Sequence, residues 1–212
     1  MVAGIQGIRD GSGRADYLAR SVLEPQLLEG VREANLAFLD LVARGAGGAR
    51  DLVHGLPADI AAGIAGLEPA SRHAVASLPY TLYSARFDDA AYWSRITAPA
   101  SAPCAAAPAA QMVFARTVVY LAWHLVRSGG LAPVLVLGMT PAVVTLFRSL
   151  SVSALEPAAV LAVDQIAARW ARHQRFWPRL LAGTGSGVRA DAVRLLGLQL
   201  LAAETLAVEA AS

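Results

Sequence analysis

Val31, Asn35, Phe38 and Val42 follow one another at steps of four, three and four residues, and Phe114, Val118, Leu121 and Leu125 repeat that rhythm. Such steps return to one face of an α-helix, so each set predicts a helix with one buried side. Glycine-rich punctuation follows both, at 45–48 and 128–130. A short apolar turn of helix is then predicted at Leu52–Val53 and at Leu135–Val136, ending near Gly55 and Gly138. Pro57 and Pro141 stand where proline starts a helix, with Thr140 placed as an N-cap, which predicts short helices over 57–67 and 140–150. Further helices are predicted over about 69–79 and 153–166. The aromatic segments 80–96 and 164–180 fit either helical or partly extended backbone. Asp16–Gly30 and Asp191–Ala210 carry leucine and valine at amphipathic spacing and predict two terminal helices. Alternating β-branched residues are nearly absent and alanine is abundant, so the fold class is all-α.

The order of features occurs twice. Shifted by 83 residues, 35–86 falls on 118–169 without a gap, matching Arg44 with Arg127, Gly47 with Gly130, Leu52 with Leu135, Gly55 with Gly138, Leu67 with Leu150, Leu78 with Leu161, Ala85 with Ala168 and Arg86 with Arg169. Phe87 then faces Trp170, and after a one-residue slip Tyr92, Trp93 and Arg95 face Phe176, Trp177 and Arg179. The repeat predicts two tandem similar helical units forming an intramolecular pseudo-dimer, with extra terminal helices. The expected division is a flexible N-terminal arm at 1–16, a helical unit with its leading helix at 17–96, a Pro/Ala linker at 97–110, a second helical unit at 111–182, and a loop with a C-terminal amphipathic helix at 183–212.

Composition narrows the chemistry. The chain of 212 residues is 56% hydrophobic and 16% charged, with a formal net charge of +2. All 18 cationic side chains are arginine, which excludes a Schiff-base lysine, a pyridoxal-phosphate anchor and the lysine of a phosphate-binding loop. One cysteine, Cys104 in the linker, forbids an internal disulfide and any multi-thiolate zinc site; it reads as an incidental linker residue, the alternative being a reactive or intermolecularly pairing thiol. The first 16 residues mix glycine with both charge signs and contain no targeting segment, so a cytoplasmic protein is expected. The uncharged stretch 128–147 has bilayer-spanning length, but Pro133, Gly138 and Pro141 interrupt it. Its repeat partner, 45–64, carries Arg50, Asp51, His54 and Asp59, so no membrane span is expected. The Gly-Thr-Gly-Ser-Gly run at 183–187 reads as a turn, since no strand precedes it and no lysine follows.

For nucleic-acid contact the strongest local feature is 169–179. If 169–177 is helical, Arg169, Arg172 and Arg175 recur every three residues along one edge where they would neutralise phosphates, with Arg179 beyond them. Trp170, Phe176 and Trp177 would stack or pack, and the plainer reading is a solvated basic edge over a buried aromatic cluster. The helices near 58–66 and 70–79 have helix-turn-helix proportions, with Arg72 and His73 candidates for an exposed face, although packing is the simpler role. His54, His73, His124 and His173 fit no metal signature, and His124 reads as a capped or partly buried core residue. Asp40 and Asp164 read as helix-surface charges and not as an acid/base pair. No catalytic residue, cofactor or metal is expected, and the chain is not read as an enzyme.

The first unit places Asn35-Leu36-Ala-Phe38-Leu39 on an opening helix, then Ala49, Leu52-Val53 and Gly55, then Ile60-Ala61, Ile64 and Leu67, then Leu78, and closes on Ala85-Arg86-Phe87-Asp88. This order resembles the FlhD family, the smaller subunit of the flagellar master transcriptional activator, over about 31–90, and over 114–180 through the repeat. The resemblance implies a helical fold, transcriptional regulation, dimerisation through the helical core and DNA binding in concert with a partner subunit. Two units in one chain would replace the homodimer by an internal one. The expected function is therefore an FlhD-like transcriptional regulator acting through protein association or self-association through its helices, with possible DNA contact. The alternative is a helical adaptor or chaperone-like interaction protein that binds no DNA.

Overall fold

A computed structural model describes residues 25–46, 52–97, 107–183 and 188–210. The N-terminal arm, most of the 97–110 linker with Cys104, and 184–187 of the glycine run lie outside the described residues. The fold is mostly helical with little strand, in keeping with the all-α expectation.

Two long helices, α1 (Pro25–Gly45) and α5 (Ala109–Ser128), pack side by side. The first buries Val31, Asn35, Phe38 and Val42, and the second buries Phe114, Val118 and Leu125. Phe38 and Phe114 meet with their ring centres 5.8 Å apart. Of the leading helix expected at Asp16–Gly30, residues 16–24 lie outside the described residues; from Pro25 through Gly30 the chain is continuous with the opening helix. A Cβ at Gly30 would stand 3.6 Å from the Leu121 side chain of α5, an ordinary van der Waals contact, so the two helices run close there without requiring glycine.

After α1, the predicted turn of helix at Leu52–Val53 is instead a small hairpin. Strand β1 (Leu52–Val53) pairs antiparallel with β2 (Leu56–Pro57) across His54 and Gly55, both left-handed at φ +50° and +82°. Two left-handed residues in a two-residue turn match the twist of a hairpin, and histidine tolerates that conformation better than most side chains. Helices α2 (Ala58–Ala65) and α3 (Pro69–Ala76) follow and pack on α1. Strand β3 (Tyr83–Ser84) and α4 (Ala90–Trp93), continued by a 3₁₀ turn Ser94–Thr97, complete the front half. Asp89 caps α4 by accepting the Tyr92 backbone N–H at 2.8 Å.

After α5 come α6 (Ala132–Leu137), ending at left-handed Gly138, and α7 (Pro141–Ser149), capped by Thr140. Next are a 3₁₀ turn Val152–Ala154, α8 (Leu155–Ala162) and a 3₁₀ turn Val163–Gln165, then β4 (Ala167–Ala168), α9 (Phe176–Ala182) and α10 (Val188–Ala210). The uncharged stretch 128–147 is thus divided among α5, α6 and α7. Among the described residues α5 is long and apolar enough to cross a membrane by length and composition; α7 and the segment after it qualify together only with a 115° bend. Helix α5 packs against α1, α6, α7 and α8, as the core helix of a folded unit does.

The halves join at β3 and β4. Tyr83 pairs with Ala168 and Ser84 with Ala167, antiparallel. Beyond them, α4 packs on α7 and α9 packs on α2, so each half lays its closing aromatic helix on the other half. The Trp93 indole N–H donates to the Arg86 carbonyl at 3.0 Å, and that of Trp177 donates to the Arg169 carbonyl at 2.9 Å.

Two buried polar side chains organise the core differently. Asn35, fully buried, donates its amide to the carbonyls of Ala76 (3.1 Å) and Tyr80 (2.9 Å) and accepts the Leu82 backbone N–H at 2.9 Å. It fastens α1 to the segment between α3 and β3. Tyr83 is also fully buried, against Phe38 and Phe114, but among the described residues its hydroxyl has no hydrogen-bond partner. Burial alone raises its pKa from the ordinary tyrosine value. A buried hydroxyl without a partner costs free energy, so Tyr83→Phe is expected to stabilise the fold by about 1 kcal/mol in urea denaturation. A destabilised variant would show that the hydroxyl is satisfied in solution.

Candidate nucleic-acid interface

The arginines at 169–179 do not share a helix. Residues 169–175 form a turn and α9 begins only at Phe176. Three contacts account for this. The Arg169 backbone N–H donates to the Leu82 carbonyl at 2.9 Å, extending the β3–β4 pairing. Trp170 is left-handed, φ +54°, which ends the strand, and its carbonyl accepts the His173 N–H at 2.9 Å. The Phe176 N–H, at the start of α9, then donates both to Nδ1 of His173 at 3.1 Å and to the His173 carbonyl at 3.2 Å.

The expected edge therefore divides. Arg172, Arg175 and Arg179 are exposed, on the turn and on the outer face of α9. Arg169 is not: only 4% of it is accessible. Its guanidinium donates through Nη1 to the Val136 carbonyl at 2.9 Å and through Nη2 to Oε2 of Glu204 on α10 at 2.8 Å. The other Glu204 oxygen accepts the Trp170 indole N–H at 2.6 Å. Burial lowers the Arg169 pKa from its ordinary value, and the Glu204 charge opposes that shift. A buried guanidinium without this carboxylate would be strongly destabilising, so Arg169 belongs to the core and not to an exposed edge.

Helix α10 settles over this point. Val193 and Leu201 are buried, and a Cβ at Gly197 would overlap the Tyr80 ring and hydroxyl, so only glycine lets the helix approach so closely. Tyr80 in turn meets the Trp170 ring edge-on at 5.3 Å, and Trp170 meets Phe176 at 4.6 Å. The aromatic cluster under the basic turn is thus present, with Glu204 as an added acidic tie.

The helix-turn-helix candidates also part. Arg72 turns inward, donating from Nη1 to Asp40 of α1 at 2.9 Å and from Nη2 to the Ala65 carbonyl at 3.2 Å, where α2 ends. It is half-buried and joins α1, α2 and α3; a free carbonyl at a helix end is a natural acceptor for arginine. Asp40 is a partly accessible charge on α1, paired with Arg72. His73 is exposed on α3. His124, expected in the core, is exposed on α5, because the buried face runs through Val118, Ala122 and Leu125. Arg86, the repeat match of Arg169, is exposed and pairs with Asp89 while lying 4.7 Å over the Tyr92 ring. Among the described residues no group of three or more His, Cys, Asp or Glu side chains is placed to hold a metal ion.

Comparison with protein-family models, with curated proteins and with solved structures returns no match.

Proposed function

We propose that the chain is an FlhD-like transcriptional regulator made of two tandem helical units, an internal pseudo-dimer, that acts through protein association and contacts DNA through Arg172, Arg175 and Arg179. One observation supports the pseudo-dimer: the closing aromatic helix of each half packs on the proline-started helix of the other, α4 on α7 and α9 on α2, around the β3–β4 pairing. That exchange is what a two-fold arrangement of two like units requires. The order of elements gives further support, since α1, α2 and α3 recur as α5, α7 and the 152–162 segment. Strands β3 and β4 stand 84 residues apart, as do the left-handed residues Arg86 and Trp170, which supports a tandem reading with its one-residue slip lying before β3. Residues 52–57 and 132–140 differ, hairpin against helix, as connections between corresponding helices often do.

The DNA role rests on three exposed arginines within eight residues of chain, two on the 169–175 turn and one on α9, beside the packed rings of Trp170 and Phe176. Guanidinium groups on such a surface favour phosphate, and the contact would be insensitive to base sequence. Retention of the full chain on duplex DNA, measured against salt concentration, tests this reading. Arg172→Ala with Arg175→Ala is expected to weaken binding more than tenfold at low salt and to flatten the logarithmic salt dependence by about two phosphate contacts. A chain that binds no duplex at low salt would instead be a helical adaptor. The exposed apolar side chains of Val113, Tyr120 and Leu195, on α5 and α10, favour that second reading.

A further inference from the structure

Arg169 and Trp170 are neighbours in sequence, yet both donate to the same carboxylate. In an extended strand their side chains would point to opposite faces. The left-handed backbone of Trp170 removes that alternation and brings the indole N–H to the side where the guanidinium lies, so each donor takes one oxygen of Glu204. Tyr80 and Phe176 hold the indole from two directions. The Val136 carbonyl, which also accepts the Thr81 backbone N–H at 3.0 Å, fixes the other branch of the guanidinium. Four segments of the chain thus converge on one carboxylate-binding position, and its occupant arrives on α10.

We propose that Arg169 and Trp170 form a two-donor carboxylate receptor, that Glu204 fills it to latch α10 onto the body, and that the seated helix is an autoinhibitory cover which withholds Arg169 from the anionic partner of Arg172, Arg175 and Arg179. The cover's effect on that partner rests on the proposed DNA contact; the receptor does not. With α10 seated, the guanidinium is out of solvent and its charge is balanced by Glu204. With α10 lifted, the same guanidinium stands at the start of the 169–175 turn, three residues from Arg172, as a fourth cation for phosphate. The carboxylate is the right trigger because it satisfies two donors and a charge together. A glutamine in its place offers a single acceptor oxygen and leaves the guanidinium unbalanced. Gly197 supplies a second, independent control, since a methyl group there drives α10 off Tyr80 while leaving Glu204 in the chain.

The experiment uses the full chain and two readouts: amide hydrogen exchange across 191–204, and retention on duplex DNA against salt. Glu204→Gln and Gly197→Ala are each expected to speed exchange across 191–204 at least tenfold. Each should also tighten binding at low salt and steepen the logarithmic salt dependence by about one phosphate contact. Arg169→Gln combined with Glu204→Gln should return the salt dependence to that of the wild type. Unchanged exchange in Glu204→Gln would overturn the latch. Faster exchange with an unchanged salt dependence, in a chain that does bind DNA, would overturn the cover while leaving the receptor. If wild type and variants alike ignore DNA, the DNA reading and the cover both fall, and exchange alone decides the receptor.

Discussion

Asn35→Ala is expected to lower the free energy of unfolding by about 3–5 kcal/mol, among the largest single effects available in this chain. The amide serves three backbone groups that no water reaches: the carbonyls of Ala76 and Tyr80 and the N–H of Leu82. Each bond contributes about 1 kcal/mol net, but deletion leaves each buried partner unsatisfied at a cost of about 1–3 kcal/mol, so the penalties outweigh the bonds lost. Asn35→Asp is expected to be no better, since a carboxylate would face two carbonyl oxygens where the amide donated to them. Asn35→Val, the residue at the matching position 118 of α5, should not rescue, because the segment after α3 has shaped itself around an amide. Urea denaturation with an unchanged slope checks this. A loss below about 1 kcal/mol would mean the three backbone groups find other partners.

The same residue shows what is legible in the chain and what is not. The step pattern places Asn35 on the buried face of α1 with no structure at hand, because helix periodicity is local. Its three partners lie 41 to 47 residues away and leave no local trace. Pro57, Pro141 and Thr140 likewise mark the starts of α2 and α7, since proline and N-caps act through their own backbone. The hairpin at 52–57 is hidden because two-residue strands are too short to alternate, and its turn has histidine where Asn-Gly would have announced it.

The candidate site divides along the same line. Arginines at every third position suit one helix edge, and exposure of Arg172 and Arg175 is the part of that reading that depends on local sequence. Whether Arg169 faces water is decided by Glu204, 35 residues on, and by the left-handed Trp170. A bulky aromatic gives no sign in the sequence of adopting that conformation. One signal was available: an isolated glycine inside a predicted amphipathic helix, Gly197, marks a close approach more often than a flexible spot, and seven residues later an otherwise leucine-rich face carries a glutamate.

Gly138→Ala is expected to destabilise by about 4 kcal/mol, and the comparison with Gly130→Ala separates its causes. Both glycines have φ +69°, so both substitutions carry the left-handed penalty of about 1–2 kcal/mol. At Gly130 a Cβ meets nothing within 4 Å, and that penalty is the whole expected effect. At Gly138 the Cβ overlaps Nη2 of Arg169 and stands 3.0 Å from its Cζ. An arginine tip would ordinarily swing aside, but this one is pinned between the Val136 carbonyl and Glu204 and has no accessible space to enter. Displacing it strands a buried guanidinium whose carboxylate partner is itself 44% exposed, so the expected cost is about 2–3 kcal/mol, below that of breaking a fully buried pair. The difference between the two variants in paired denaturation curves therefore measures how firmly Arg169 is held. Equal losses would mean that its guanidinium moves freely, and that the carboxylate of Glu204 does not fix its place.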